Sequence, residues 1–187
     1  MDEDQLRETM TEAVVNRYPV INHKARNSKE QVYLGTTKTG IPIHLDRRYV
    51  ESDLKVLTGL IEAHFMAGYS GGRKLVAPGL VGVETIKYLH GPKILEHPLA
   101  TAGVLDGNPL HESALEIAQR SGVDFILNVS MDEERRMTGV YAGELDSAHR
   151  YGVSQVENMV VANVEEPVDI VVTSAAGYPL DTTSIRL

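Results

Sequence analysis

The chain of 187 residues contains no cysteine. That excludes disulfides and thiolate metal sites and leaves histidine and carboxylate as the candidate protein ligands. It also fits a reducing cytoplasm, the expected location. With no tryptophan and only two phenylalanines, any core must be mainly aliphatic. No stretch approaches the roughly 20 apolar residues of a membrane span. The start, Met1-Asp2-Glu3-Asp4, is acidic and leads into no apolar signal core. Cations are in deficit as well, and a formal net charge of -8 argues against nucleic acid or an anionic membrane as the main partner. Basic residues are local, so an anionic ligand would be a small one. The apolar fraction of 42% is enough for an ordinary buried core in one domain, or in one domain plus part of another.

Periodicity predicts an amphipathic helix over 4–18, with Leu6, Met10, Val14 and Val15 on one face packed against a sheet and Pro19 as its stop. Short β-branched or apolar runs predict strands at Val20–Asn22, Val32–Gly35, Thr39–Ile43 and Leu54–Ile61. A helix over about Val81–Leu89 should close at Gly91-Pro92, leaving His90 at its end. Asn108 and Pro109 read as N-cap and first position of a second helix that Gly122 ends. Strands are expected at Val123–Val129 and Met137–Ala142, a weaker helix at Ser147–Val161, and a last strand at Asp169–Thr173. Alternating helices and strands imply an α/β fold with a mixed, mainly parallel sheet and flanking helices. Glu165-Glu166-Pro167 marks an expected boundary between residues 1–164 and a second unit beginning at 165–187.

The stretch His64-Phe65-Met66-Ala67-Gly68-Tyr69-Ser70-Gly71-Gly72-Arg73-Lys74 carries the most chemistry. It follows the strand at 54–61, at the end of a strand where α/β sheets bind ligands. Gly68, Gly71 and Gly72 allow positive φ and a close backbone approach, and successive amides in such a turn can form an anion-binding concavity. Arg73 and Lys74 add two cations. Lys74 suits either a point charge for phosphate or, with a lowered pKa, a nucleophile toward a carbonyl carbon. Leu75 stands where a P-loop needs Ser or Thr, which sets that motif aside. A surface-loop lysine is, taken alone, more often simply solvated. His64 has the side chain for proton transfer near neutral pH, against the plainer role of a strand-end histidine. His90 is equally explained by the helix dipole. Tyr69, Ser70 and Arg73 either orient an anionic substrate or only shape the turn. His23, His44, His97, His111 and His149 suggest nothing beyond surface and cap roles, and no local His spacing makes a metal site.

Together with Pro78-Gly79, Thr85-Ile86, His90, Gly107-Asn108-Pro109 and Gly177-Tyr178-Pro179-Leu180-Asp181, this stretch resembles the nickel-dependent lactate racemase family, and the resemblance spans most of the chain. It implies an isomerase that interconverts enantiomers or epimers of a 2-hydroxy acid by hydride transfer to and from a nickel pincer nucleotide. The implied roles are a covalent thioamide tether at Lys74 beside Gly71, Gly72 and Arg73, a nickel ligand at His90, and an acid/base at His64. Cofactor-synthesis proteins are the implied partners, and residues 1–164 would belong to a cofactor-tethering N-terminal domain. The family's second catalytic histidine and an arginine motif match no segment here, and Ser184-Ile185 stand where a Tyr-Gln pair is expected. The chain thus reads as an internal portion of a larger enzyme, not competent alone. The alternative from the turn itself is a non-catalytic nucleotide- or phosphate-binding module.

Overall fold

The computed structural model describes residues 3–161 together with 166, 168–170 and 172. Of the strand expected at Asp169–Thr173, the described residues Asp169, Ile170 and Val172 lie in no strand, and the motif at 177–181 falls outside the described residues.

The chain opens with helices α1 (Glu3–Met10) and α2 (Glu12–Arg17). They are two where periodicity predicts one, because Thr11 takes a left-handed φ of 66° between them. The expected packing is absent too: α2 buries none of its residues, and Met10 and Val14 are exposed. Val20–Asn22 forms no strand; the chain is held instead at His23, whose ring meets Asp46 Oδ2 at 2.8 Å and the Val81 carbonyl at 2.9 Å. Strands β1 (Gln31–Thr36) and β2 (Pro42–Asp46) pair as an antiparallel hairpin. Asp46 then caps the short helix α3 (Arg47–Val50) by accepting from the Arg48 amide.

The central strand pairing is parallel. Strand β3 (Val56–Leu60) lies beside β6 (Phe125–Met131), with Val56 opposite Phe125 and Leu60 opposite Val129. Between them run a two-residue hairpin of β4 (Ala63–His64) and β5 (Gly68–Tyr69), then α4 (Val83–Leu89), α5 (Pro92–Leu95) and α6 (Pro109–Ser121). Strand β7 (Met137–Gly143) adds antiparallel to β6, and α7 (Leu145–Val160) closes the described fold. The class is therefore α/β with a mixed sheet, as expected; its parallel ladder is β3–β6, while the other named ladders are antiparallel.

The helix ends follow the local chemistry. Asn108 accepts from the amides of Leu110 and His111 at the start of α6, and Gly122 takes a left-handed φ of 79° at its end. The core is aliphatic, as the scarcity of aromatics requires. Ile43, Leu45, Val81, Leu89, Ile117 and Ile126 are fully enclosed, and a smaller cluster of Ile61, Leu105, Tyr141, Val153 and Val156 seats α7 against the sheet.

Candidate functional site

Strand β3 delivers the chain to the β4–β5 hairpin through Ile61, whose amide donates to the Val129 carbonyl at 2.8 Å. Ser70 staples the hairpin base: its amide donates to Glu62 O at 2.9 Å, its hydroxyl donates to Leu60 O at 2.8 Å, and the same oxygen accepts from the Glu62 amide at 3.0 Å. His64 is half-buried on this hairpin. Its Nδ1 accepts from the amides of Met66 at 3.3 Å and Ala67 at 3.2 Å. A nitrogen that accepts carries no proton, so the neutral ring holds its hydrogen on Nε2.

The glycine-rich turn follows. Residues Gly72–Leu75 form one 3-10 turn, in which the Lys74 amide donates to Gly71 O and the Lys74 carbonyl accepts from Gly79. Gly71 and Gly72 have φ of 75° and 51°, so the expected left-handed backbone is present. Its cause differs from the expected one. A Cβ on Gly71 would stand 2.9 Å from Asn128 Oδ1, and one on Gly72 would stand 2.7 Å from the His149 ring. The backbone comes close to the protein's own β6 and α7. The Gly72 amide donates to Asn128 Oδ1 at 2.7 Å. Two of the turn's amides are thus consumed internally, which leaves less of an anion-binding concavity than the glycine pattern suggests.

Arg73 and Lys74 diverge. Arg73 is buried at 1% exposure, donates from Nη2 to Ala67 O at 2.7 Å, and places Nη1 2.9 Å from His149 Nε2. Among the described residues it forms no salt bridge, and burial pulls its pKa down to about 9. Lys74 is half-buried in the next position. His90 caps the C-terminal end of α4, as Gly91-Pro92 predicts, and is exposed. Its Nδ1 lies 3.0 Å from the Ile86 carbonyl. A carbonyl only accepts, so Nδ1 carries the proton and the Nε2 lone pair is the one available for a metal. A cavity of about 500 Å³ adjoins this helix end, lined by Ile41, Tyr88, Pro92, Lys93 and Ile94 among others, and bounded by none of His64, Lys74 and His90.

Two histidines expected at the surface are inside. His111 and His149 are each about 1% exposed. Burial, with Arg73 nearby, lowers their pKa to about 3 and about 4 respectively. Asn128 is likewise buried beneath the turn. Its signal in the sequence was a polar residue within the apolar run Phe125-Ile126-Leu127-Asn128-Val129. His149 had no comparable local signal.

The family profile described as the lactate racemase N-terminal domain matches residues 1–103. The chain is 36% identical to the lactate racemase of Thermoanaerobacterium thermosaccharolyticum over 177 residues, 95% of this chain and 41% of the relative. It is 32% identical to that of Lactiplantibacillus plantarum over 170 residues, 91% of this chain and 40% of the relative. It spans about two fifths of the length of these curated relatives. The solved lactate racemase apoprotein from T. thermosaccharolyticum superposes with a TM-score of 0.93 at 35% identity, over 97% of this chain and 43% of that one. A protein from Thermotoga maritima, at 20% identity and a TM-score of 0.66 over 85% of this chain and 43% of its own, shares the fold alone. With the domain profile covering more than half of the sequence, including His64, the lysine turn and His90, the chain belongs to the lactate racemase family.

Proposed function

We propose that these residues form the cofactor-tethering part of a racemase or epimerase of 2-hydroxy acids, working with a nickel pincer nucleotide held covalently on Lys74 in the cytoplasm. The observation that carries this reading is the lactate racemase N-terminal domain profile over residues 1–103, which takes in His64, Lys74 and His90. Lys74 sits in a turn braced by β6 and α7, and His90 presents an Nε2 lone pair at an exposed helix end.

The donor set fits such a group. Among the described residues no three His, Asp or Glu side chains gather to hold a metal by themselves, so His90 would serve as a single imidazole ligand beside donors that the cofactor brings. Sulfur and carbon donors with one imidazole suit nickel in a planar geometry. When bound, the pincer supplies the hydride acceptor and donor. Lys74 would hold it, Gly71 and Gly72 shape the turn that carries the lysine, and Arg73, buried against Ala67 and His149, supports that turn from within the protein.

His64 is the proton carrier. With Nδ1 accepting from two backbone amides, its neutral ring offers the Nε2–H as a hydrogen-bond donor to a substrate oxygen. Taking a proton at that same atom requires the contacts from Met66 and Ala67 to be released. Inversion needs proton transfer on both faces of the substrate, and His64 serves one of them. The 187 residues alone are accordingly expected to be inactive, with activity a property of the longer enzyme, supplied with its cofactor by cofactor-synthesis proteins.

The test is interconversion of lactate enantiomers, and of a panel of other 2-hydroxy acids, by the intact protein co-expressed with cofactor-making proteins. Turnover that vanishes in His64→Ala and in Lys74→Ala supports the reading. Full turnover in Lys74→Ala would refute it.

A further inference from the structure

Arg73 is a buried cation with no carboxylate partner among the described residues, directly beside the proposed tether. Burying a charge is tolerated only with strong compensating hydrogen bonds. Its guanidinium has two: Nη2 on Ala67 O and Nη1 on His149 Nε2, while Nε has no partner. The same His149 Nε2 lies 2.8 Å from the Ser70 carbonyl. These two neighbours make opposite demands. A guanidinium can only donate, so toward Arg73 the nitrogen must be unprotonated. A carbonyl can only accept, so toward Ser70 it must carry a hydrogen. One nitrogen in one tautomer serves one of them. Leaving a charged donor unsatisfied costs more than leaving a carbonyl short of a partner, so the demand of Arg73 prevails.

We propose that Arg73 and His149 are a buried positioning pair for the lysine turn, with His149 protonated on Nδ1 and accepting from Arg73 at Nε2. The pair reaches both proposed chemical groups. Lys74 follows Arg73 in the chain. Ala67, whose carbonyl accepts from Arg73, donates its amide to His64 Nδ1. A guanidinium fixed by α7 thus holds the 67–68 peptide, one Cα away from the 66–67 peptide whose N–H holds the His64 ring. The His149 ring also fills the space that a Cβ on Gly72 would need, so Gly72 and His149 accommodate one another.

The functional consequence rests on the reading of Lys74 as a tether; the structural claim does not. The test uses the intact protein, wild type beside His149→Leu and His149→Gln. Glutamine can offer an oxygen to Arg73 and an amide hydrogen to Ser70 at once, whereas leucine offers neither. Amide hydrogen exchange over 66–76 is expected to rise about tenfold or more in the leucine variant, as loss of a buried charge-assisted bond implies, and to stay near wild type in the glutamine variant. Nitrogen-15 NMR of the wild type is expected to show a non-protonated Nε2 and a protonated Nδ1. Lys74 modification, read by mass, should fall in the leucine variant and return in the glutamine one. A protonated Nε2 in the wild type would overturn the proposal, as would unchanged exchange in the leucine variant. Should the leucine variant fail to fold, the glutamine variant and the wild-type tautomer still decide. An unmodified Lys74 in the wild type would remove the tether reading alone, and exchange and tautomer would still judge the pair.

Discussion

Asn128 Oδ1 accepts a 2.7 Å hydrogen bond from the amide of Gly72, which joins the central strand to the turn that carries Lys74. Both groups are buried. Asn128→Ala would leave the Gly72 amide without a partner, at a cost of about 1–3 kcal/mol. Denaturant unfolding of the intact protein should show the unfolding free energy falling by that amount, and Lys74 should be modified less completely.

Gly72→Ala should be more damaging than its size suggests. The position has φ 51° and a Cβ there would stand 2.7 Å from the His149 ring, so strain and collision act together. A destabilisation above about 1 kcal/mol is expected, since alanine at positive φ exceeds the ordinary Gly-to-Ala effect. Gly40→Ala is the control: it shares a positive φ of 87° but meets nothing within 4 Å. Thermal unfolding of the two variants should rank Gly72→Ala clearly lower.

Stability should fall in mild acid. Both buried histidines are held neutral, His149 near 4 and His111 near 3 against an ordinary 6.5. The unfolded chain therefore binds protons that the folded chain refuses. Each pH unit below about 6.5 costs on the order of 1.4 kcal/mol per histidine, until the folded value is reached. Unfolding midpoints compared at pH 7, 5.5 and 4.5 should descend in that order, and His149→Gln should flatten the descent. Asp46 works in a lower window. Its bond to the Arg48 side chain holds its pKa well below 3.8, so its contribution is full above that value and is lost progressively beneath it, as the pH falls toward the lowered folded value.

The His23–Asp46 contact makes a separate prediction, away from the site. Asp46 caps α3 and meets His23 at 2.8 Å. Asp46→Ala should cost about 1–2 kcal/mol through the lost cap, measured by chemical denaturation, with Lys74 modification unchanged.

Where a residue's role depends on its neighbours in the chain, the sequence was sufficient. Asn108-Pro109 and Gly122 bound α6, Gly91-Pro92 puts His90 at a helix end, and the β3 run leads into the glycine turn. Roles that depend on distant partners were hidden. His149 is 79 residues from Ser70 and 76 from Arg73, so nothing in its own helix separates it from a surface histidine. Gly71 and Gly72 were legible as special backbone, but whether the close approach was to a ligand or to Asn128 and His149 could be decided only by the fold. The N-terminal periodicity was real in pattern. It gave no sign of the break at Thr11, because nothing local to threonine calls for a positive φ.

The mass of the Lys74 peptide, taken from active intact protein made together with cofactor-synthesis proteins, tests the central claim most directly. The expected result is an adduct on Lys74 with the mass of a sulfur-bearing pyridinium mononucleotide, with nickel retained in the wild type and lost in His90→Ala. An unmodified Lys74 in a preparation that racemises its substrate would contradict it.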